Sequence, residues 1–343
     1  MKLNKSHPLY RNDIQTILSI NGIDILKGKS VLITGATGLL GVHLIDALMA
    51  LGGVKIYAVG RNKDKARVRL GEYYDNPFFT FIEQDVCEPF PNDIQADYII
   101  PGASNTHPLA YSQFPIETIM INIKGIEHAL ELASRCKATV LYMSTVEIYG
   151  NSLTDDPIKE DYNGKLNLST SRSCYTESKR VSEALCQSYI AEKGIDVKIV
   201  RLSRIFGPTM LESDSKASSQ FILKALANDN IILKSKGEQF FSYTYVTDAV
   251  AAMLYIMIHG ACGQAYNISS EKCNVYLKEF AQICAEYNKK SVVFELPSEI
   301  EQKGFSIASK AVLDNTKLRT LGFAPKYEIK DAIIRTIEIL KSK

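Results

Sequence analysis

Tyr175 and Lys179 stand four residues apart in C-Y-T-E-S-K, a spacing that puts both side chains on one face of a helix. A lysine ammonium held one turn from a tyrosine lowers the phenol pKa. The phenolate can then take a proton from a substrate hydroxyl while hydride leaves the same carbon. Thirty residues before Tyr175, the apolar run A-T-V-L-Y-M ends in S-T-V-E-I-Y-G, which presents Ser144, Thr145 and Glu147 where a strand stops. Earlier still, S-V-L-I-T-G-A-T-G-L-L-G places Gly35, Gly38 and Gly41 at intervals of three, after a short apolar strand and before a helical pattern. Strand, glycine turn and helix present backbone N–H groups and a helix N-terminus to a phosphate. The spacing is a relative of the G-x-G-x-x-G dinucleotide fingerprint.

A nicotinamide dinucleotide is therefore the expected cofactor, its pyrophosphate on Gly35, Thr37, Gly38, Leu39 and Leu40, its ribose within reach of Tyr175 and Lys179. Thr145 and Glu147 then project near its nicotinamide end. The second strand, V-K-I-Y-A-V-G, ends in Gly60 and Arg61 with no carboxylate to meet a ribose 2′-hydroxyl. An arginine there favours a 2′-phosphate, so the reading leans to NADP(H) over NAD(H). A solvated Arg61, or one stacked on adenine, is the alternative. Asp85 and Val86, after the third strand, are placed to meet the adenine, and Ala103 and Ser104 follow the fourth strand toward the same crevice. His107 lies in that strand-end loop and either touches substrate or is a hydrogen-bonded loop residue, whereas His43 reads as structural.

These positions depend on strands near 31–34, 54–60, 79–86, 96–100, 138–145 and 196–202, alternating with helices near 115–136 and 175–193. Such alternation predicts right-handed βαβ units, a doubly wound parallel sheet and a site at the carboxyl ends of its strands. Beyond Gly207-Pro208 the pattern changes to helices near 217–228, 247–258, 275–287 and 328–341, with short strands at I-I-L-K, A-Y-N-I-S and V-V-F-E-L between them. The expected organisation is an N-terminal extension (1–29), a dinucleotide-binding domain (30–205) whose sheet later segments complete, and a mainly substrate-binding α+β region (206–343). The extension reads as a short helix, a turn and a linker, packed on the sheet domain or on a partner.

At 343 residues, 46% hydrophobic and 23% charged, the chain has the composition of a globular protein with a sizeable core. A formal net charge of +2, with scattered lysines and arginines, gives no nucleic-acid or anionic-membrane signature. No apolar run reaches membrane-span length, and the first residues lack the apolar core of a signal peptide. Seven cysteines without a C-x-x-C pair suit reduced thiols in the cytoplasm and form no zinc pattern, so no metal is expected.

T-G-A-T-G-L-L-G, Q-D-V, N-I-K-G, S-T-V-E-I-Y-G, Y-T-E-S-K, R-L-S-R-I-F-G-P and Y-T-Y-V-T-D together resemble the extended short-chain dehydrogenase/reductase family, over nearly all of residues 28–341. G-A-S-N-T-H-P-L-A-Y and R-S-C-Y-T-E-S-K-R-V-S-E look most like its UDP-glucuronate decarboxylases, with sugar-nucleotide 4,6-dehydratases next. The resemblance implies a catalytic set of Thr145, Tyr175 and Lys179, with Glu147 as an additional base or positioning carboxylate near sugar C5. It also implies a nucleotide-sugar substrate, a C4-keto intermediate and a homodimer built on helices 115–136 and 175–193. A C4 epimerase or 4-ketoreductase is the alternative, and a non-catalytic dinucleotide sensor the remote one. Where dTDP-glucose dehydratases carry an aspartate before the glutamate, this chain has Val146. The family's diphosphate-binding asparagine is Arg204 here, an arginine expected near the phosphates is Phe241, and near the C-terminal substrate loop Lys310 is the nearest cation. Arg204 and Lys310 are therefore candidate substrate residues.

Overall fold

A computed structural model of the chain describes residues 3–106, 108–151, 156–297 and 309–341. The first half runs α1 (Pro8–Leu18), β1 (Ser30–Thr34), α2 (Leu39–Leu51), β2 (Lys55–Gly60), α3 (Lys63–Leu70), β3 (Phe79–Glu83), β4 (Tyr98–Pro101), α4 (Pro108–Gln113), α5 (Pro115–Cys136), β5 (Thr139–Thr145), α6 (Ser173–Lys193) and β6 (Val197–Leu202). Then come β7 (Arg204–Phe206), α7 (Ala217–Leu226), β8 (Ile231–Leu233), β9 (Phe240–Tyr245), α8 (Val246–His259) and β10 (Ala265–Ile268). The chain closes with β11 (Asn274–Tyr276), α9 (Leu277–Tyr287), β12 (Val292–Phe294), β13 (Lys310–Ala311), α10 (Thr316–Leu321) and α11 (Ile329–Lys341).

Seven strands form one parallel sheet in the order β10-β6-β5-β4-β1-β2-β3. Its strands are apolar on both faces because helices cover both. Within β1, Val31 and Ile33 point into a core shared with α1, α2 and α8, while Leu32 joins a second core with α5 and α6. Successive residues of β5 divide the same way, Val140 and Tyr142 to one core and Leu141 to the other. This is the doubly wound Rossmann architecture, and its strand order reverses between β1 and β4, where such sheets open a crevice.

After Leu202 the chain leaves this sheet. β7 pairs with β9, and β9 also lies between β11 and β13, giving a small second sheet; β8 and β12 form a separate pair. A-Y-N-I, read from the sequence among the strands of the C-terminal region, is instead the seventh strand of the main sheet, beside β6. The N-terminal extension packs within its own chain, with Tyr10, Ile14 and Ile17 buried in the core beneath α2 and α8. His43 is buried, its Nε2 3.1 Å from the Thr247 hydroxyl and its ring edge-on to Tyr10. Burial pulls it down to about 3, so it is neutral and belongs to the packing.

Candidate active site

Gly35 follows β1 with φ +67°, and a Cβ there would stand 2.6 Å from the carbonyl oxygen of Gly102, the residue after β4. The two strands flanking the switch point thus touch backbone to backbone. Gly41 lies one helical turn on, where a Cβ would meet the Gly35 oxygen at 2.5 Å and Ala36 backbone at 2.8 Å. Gly38 differs: its φ is ordinary, and a Cβ would meet only the Gly35 oxygen, at 3.1 Å. Gly38 is also the N-cap of α2 and supplies no capping side chain, so the first N–H groups of the helix face an open approach. A turn closed from behind and bare in front fits a pyrophosphate.

Around this turn, the Ala103 N–H donates to Thr34 Oγ1 at 3.0 Å, and the Leu39 carbonyl accepts from Thr209 Oγ1 at 2.7 Å. The Ser104 hydroxyl donates to the Asn105 carbonyl at 3.1 Å. Thr37 and Leu40 are half-buried at the helix entrance. Val86 is buried against Gly125, and its carbonyl meets His128 Nδ1 at 2.9 Å. Arg61 is half exposed, with Nη1 2.9 Å from Glu117 Oε1 and 3.9 Å from Asp85 Oδ2. Asp85 also accepts the Cys87 N–H at 2.9 Å. His107 lies outside the described residues.

β5 delivers Thr145 at its last position, and a 3₁₀ turn (Val146–Tyr149) carries Glu147 immediately beyond. Thr145 Oγ1 accepts the Glu147 N–H at 3.3 Å, fixing the carboxylate's backbone to the strand end. α6 brings Tyr175 and Lys179 against the same strand, both buried. Lys179 Nζ donates to the Met143 carbonyl at 2.9 Å and sits 5.1 Å over the Tyr142 ring. Burial pulls the ammonium down to about 8.

The Tyr175 phenol does not show the lowering expected from its lysine. Burial, and then the Glu147 carboxylate, push it well up; the groups that draw it back are the Thr145 hydroxyl, Arg172 and the Tyr111 hydroxyl. Lys179 spends its hydrogen bond on the strand instead.

Two of these residues carry no role in the sequence reading. Arg172 is one-tenth exposed and forms a short ion pair through Nη2 with Glu147 Oε2. Its guanidinium lies 4.5 Å over the Tyr111 ring, and Tyr111 stacks on Tyr175 at 4.7 Å and 26°. A cation three residues before Tyr175, at the start of α6, was the available signal.

Arg204 and Phe241, the two departures from the family pattern, are in contact. β7 runs beside β9 with Arg204 opposite Tyr243, and the guanidinium lies 3.4 Å from the Phe241 ring centre. Lys310 stands opposite Phe240 in β13, one residue along the neighbouring strand from Phe241. Among the described residues no cluster of three or more His, Cys, Asp or Glu is arranged for a metal, and no helix is long and apolar enough to cross a membrane.

A Rossmann sheet, a glycine turn at its switch point and a Tyr-x-x-x-Lys helix against the fifth strand define a nicotinamide-dinucleotide-binding protein. The chain belongs to the NAD dependent epimerase/dehydratase family, whose sequence model matches residues 31–269. It is 31% identical over 307 residues to UDP-glucuronic acid decarboxylase 6 of Arabidopsis thaliana, covering 88% of this chain and 86% of that protein. It is 35% identical over 229 residues to UDP-glucuronic acid decarboxylase 1 of Xenopus tropicalis, covering 67% of this chain but only about half, 53%, of that longer protein. Among solved structures, Pal from Bacillus thuringiensis superposes with a TM-score of 0.80 at 20% identity, covering 91% of this chain and 99% of that one. DesIV, a dTDP-glucose 4,6-dehydratase from Streptomyces venezuelae solved with NAD and TYD, gives 0.78 at 21%, covering 90% and 96%. These structural likenesses establish the fold.

Proposed function

We propose that the protein converts a nucleotide sugar through a C4-keto intermediate, as a decarboxylase or a 4,6-dehydratase. The observation that carries this reading is the Glu147 carboxylate, two residues past Thr145 at the strand end, linked to the Tyr175 ring through Arg172 and Tyr111. A nicotinamide dinucleotide held by its pyrophosphate at the glycine turn would supply the hydride acceptor for C4. Tyr175 takes the C4 hydroxyl proton, and the Thr145 hydroxyl draws its raised pKa back down. A ketone at C4 acidifies the C5 proton, which Glu147 is placed to remove in a dehydration. In a decarboxylation the same ketone makes the C5 carboxylate a β-keto acid, which loses carbon dioxide and needs no acid for a leaving hydroxyl. Val146, where dTDP-glucose dehydratases have an aspartate, suits that second route, and the curated relatives named above are decarboxylases.

The cofactor preference we infer is NADP(H), from Arg61 and the lack of a carboxylate at the end of β2. A 2′-phosphate would compete with Glu117 and Asp85 for the guanidinium. Such charge-assisted bonds are worth roughly 1.5–3 kcal/mol, so Arg61→Ala should weaken NADP(H) about tenfold and spare NAD(H). Equal losses would assign Arg61 to packing. Arg204 and Lys310 are read as substrate-facing cations that replace the charge absent at Phe241. The biological unit we propose is a cytoplasmic homodimer. Support comes from seven cysteines that are all free thiols, and from exposed Ile116 and Met120 one turn apart on α5 with Val181 on α6. Light scattering at working concentration tests the dimer; a monomer would refute it.

Product masses from a panel of UDP-, GDP-, CDP- and dTDP-sugars test the reaction. Loss of carbon dioxide or of water supports the proposal, while an unchanged mass with inverted C4, or a gain of two hydrogens, establishes an epimerase or a reductase. Dehydration through Glu147 would also carry solvent deuterium into C5 of trapped intermediate, slowed about 10²–10⁴-fold in Glu147→Gln, the usual cost of losing a general base.

A further inference from the structure

Tyr175 and Glu147 are both asked to hold negative charge close together in a buried site, and that juxtaposition opposes itself. The phenol is buried and feels the carboxylate directly. Arg172 connects the two. Its Nη2 is ion-paired with Glu147, and its guanidinium lies 4.5 Å over the Tyr111 ring, which itself stacks on Tyr175. Nε and Nη1 of this arginine are buried without a hydrogen-bond partner among the described residues. A donor pair left unsatisfied in that way is costly and is found where function holds it.

We propose that Arg172 is a positioning residue that binds the Glu147 carboxylate and, through Tyr111, backs the Tyr175 ring, so that carboxylate and phenolate can coexist in one charge-balanced cluster. Remove the guanidinium and the two anions face each other across a low-dielectric site, and one of them holds on to its proton. The other groups around Tyr175 are placed differently. Thr145 is a neutral donor, the Lys179 ammonium on the same helix donates to the Met143 carbonyl, and Tyr142 behind it is neutral and buried. Asp214 acts on Tyr111 with the wrong sign, and Arg204 on β7 faces Glu147, Arg172 and Tyr111 from the second sheet while stacked on Phe241.

The proposal rests on the assignment of Tyr175 and Glu147 to one site, but its test requires no substrate. A fluorinated tyrosine of low intrinsic pKa, placed at position 175 of the full-length protein, reports ionisation by its ¹⁹F shift. Arg172→Gln should raise the titration midpoint by about one unit, a tenfold change in proton affinity. Glu147→Gln should lower it, and in that background Arg172→Gln should move the midpoint by clearly less than one unit. Arg172→Lys, which keeps the charge without the planar stack, should fall between, and it secures the answer if the glutamine variant folds poorly. A midpoint unmoved by Arg172→Gln and Arg172→Lys would overturn the proposal. So would a shift of equal size in the Glu147→Gln background, because Arg172 would then act independently of the carboxylate. If a substrate is found, the rising limb of kcat/KM against pH should move with the midpoint while KM stays constant. A panel with no product would refute the reaction and leave the ¹⁹F result standing.

Discussion

Lys179 sits in the sheet-facing side of α6 with almost no solvent contact, and its ammonium has one carbonyl partner. Its folded-state value, pulled down to about 8 from an ordinary 10.5, lies below that of the unfolded chain. Between those values the unfolded chain binds the extra proton, so this residue makes stability rise with pH across the window and costs stability below it, by about 3 kcal/mol. Lys179→Met removes that cost and loses one hydrogen bond worth about 1 kcal/mol. We expect the variant to be inactive yet at least as stable as the parent at pH 7, its advantage shrinking toward pH 10. Urea melts at the two pH values check this, and a methionine variant clearly less stable at pH 7 would show that the ammonium is fully compensated. The spacing of Tyr175 and Lys179 was legible because a helix maps four residues onto one face. Arg172 and Tyr111 were not. Their roles arise from contacts between α6, the turn after β5 and α4, which lie far apart in the chain and leave no local period.

The glycine turn separates two demands that its sequence merges. Gly41 is small because a Cβ there would stand 2.5 Å from the Gly35 oxygen, whereas at Gly38 a Cβ would press on that oxygen alone, at 3.1 Å, and the residue is small chiefly for what approaches from outside. Gly41→Ala should therefore destabilise the fold by about 3 kcal/mol, the upper end of ordinary overpacking costs. Gly38→Val should cost less, about 1–2 kcal/mol for a poor N-cap, and lose dinucleotide binding. Thermal melts with and without NAD(H) distinguish the two, and a Gly38→Val protein that binds dinucleotide undiminished would dissociate this turn from the cofactor. The long elements were readable because each shows a full amphipathic or apolar signal, from the strands of the main sheet to α5, α6, α8 and α11. β7, β11 and β13 have two or three residues each, too few for any period, so the second sheet was invisible. β10 was found but put in the wrong layer, since its partner β6 lies more than sixty residues earlier.

At the scale of the whole molecule, the N-terminal extension ties the two sheets together through buried charge. Asp13 of α1 has no solvent contact; its carboxylate accepts from the Tyr245 hydroxyl at 2.5 Å, the Tyr327 hydroxyl at 2.8 Å and Arg335 Nη2 at 2.6 Å. Tyr245 ends β9 of the second sheet, and Arg335 lies on α11. On the other side of the same segment, Asp46 of α2 accepts from Lys5 at 2.6 Å, from Tyr73 at 2.9 Å and from Tyr10 by a short bond. The dinucleotide half and the C-terminal half are thus both anchored to residues 5–13. A buried pair of this kind adds little over an apolar replacement, but breaking one partner strands the other's charge. Asp13→Ala should cost about 3–5 kcal/mol, because Arg335 is left buried and unpaired. Asp13→Leu combined with Arg335→Met should recover most of that loss, since neither charge then needs a partner. Urea unfolding of the two variants and the parent completes the comparison. Should Asp13→Ala cost under about 1 kcal/mol, the extension would be a surface attachment whose carboxylate water can reach, and the halves would be held by the shared α2–α8 core alone.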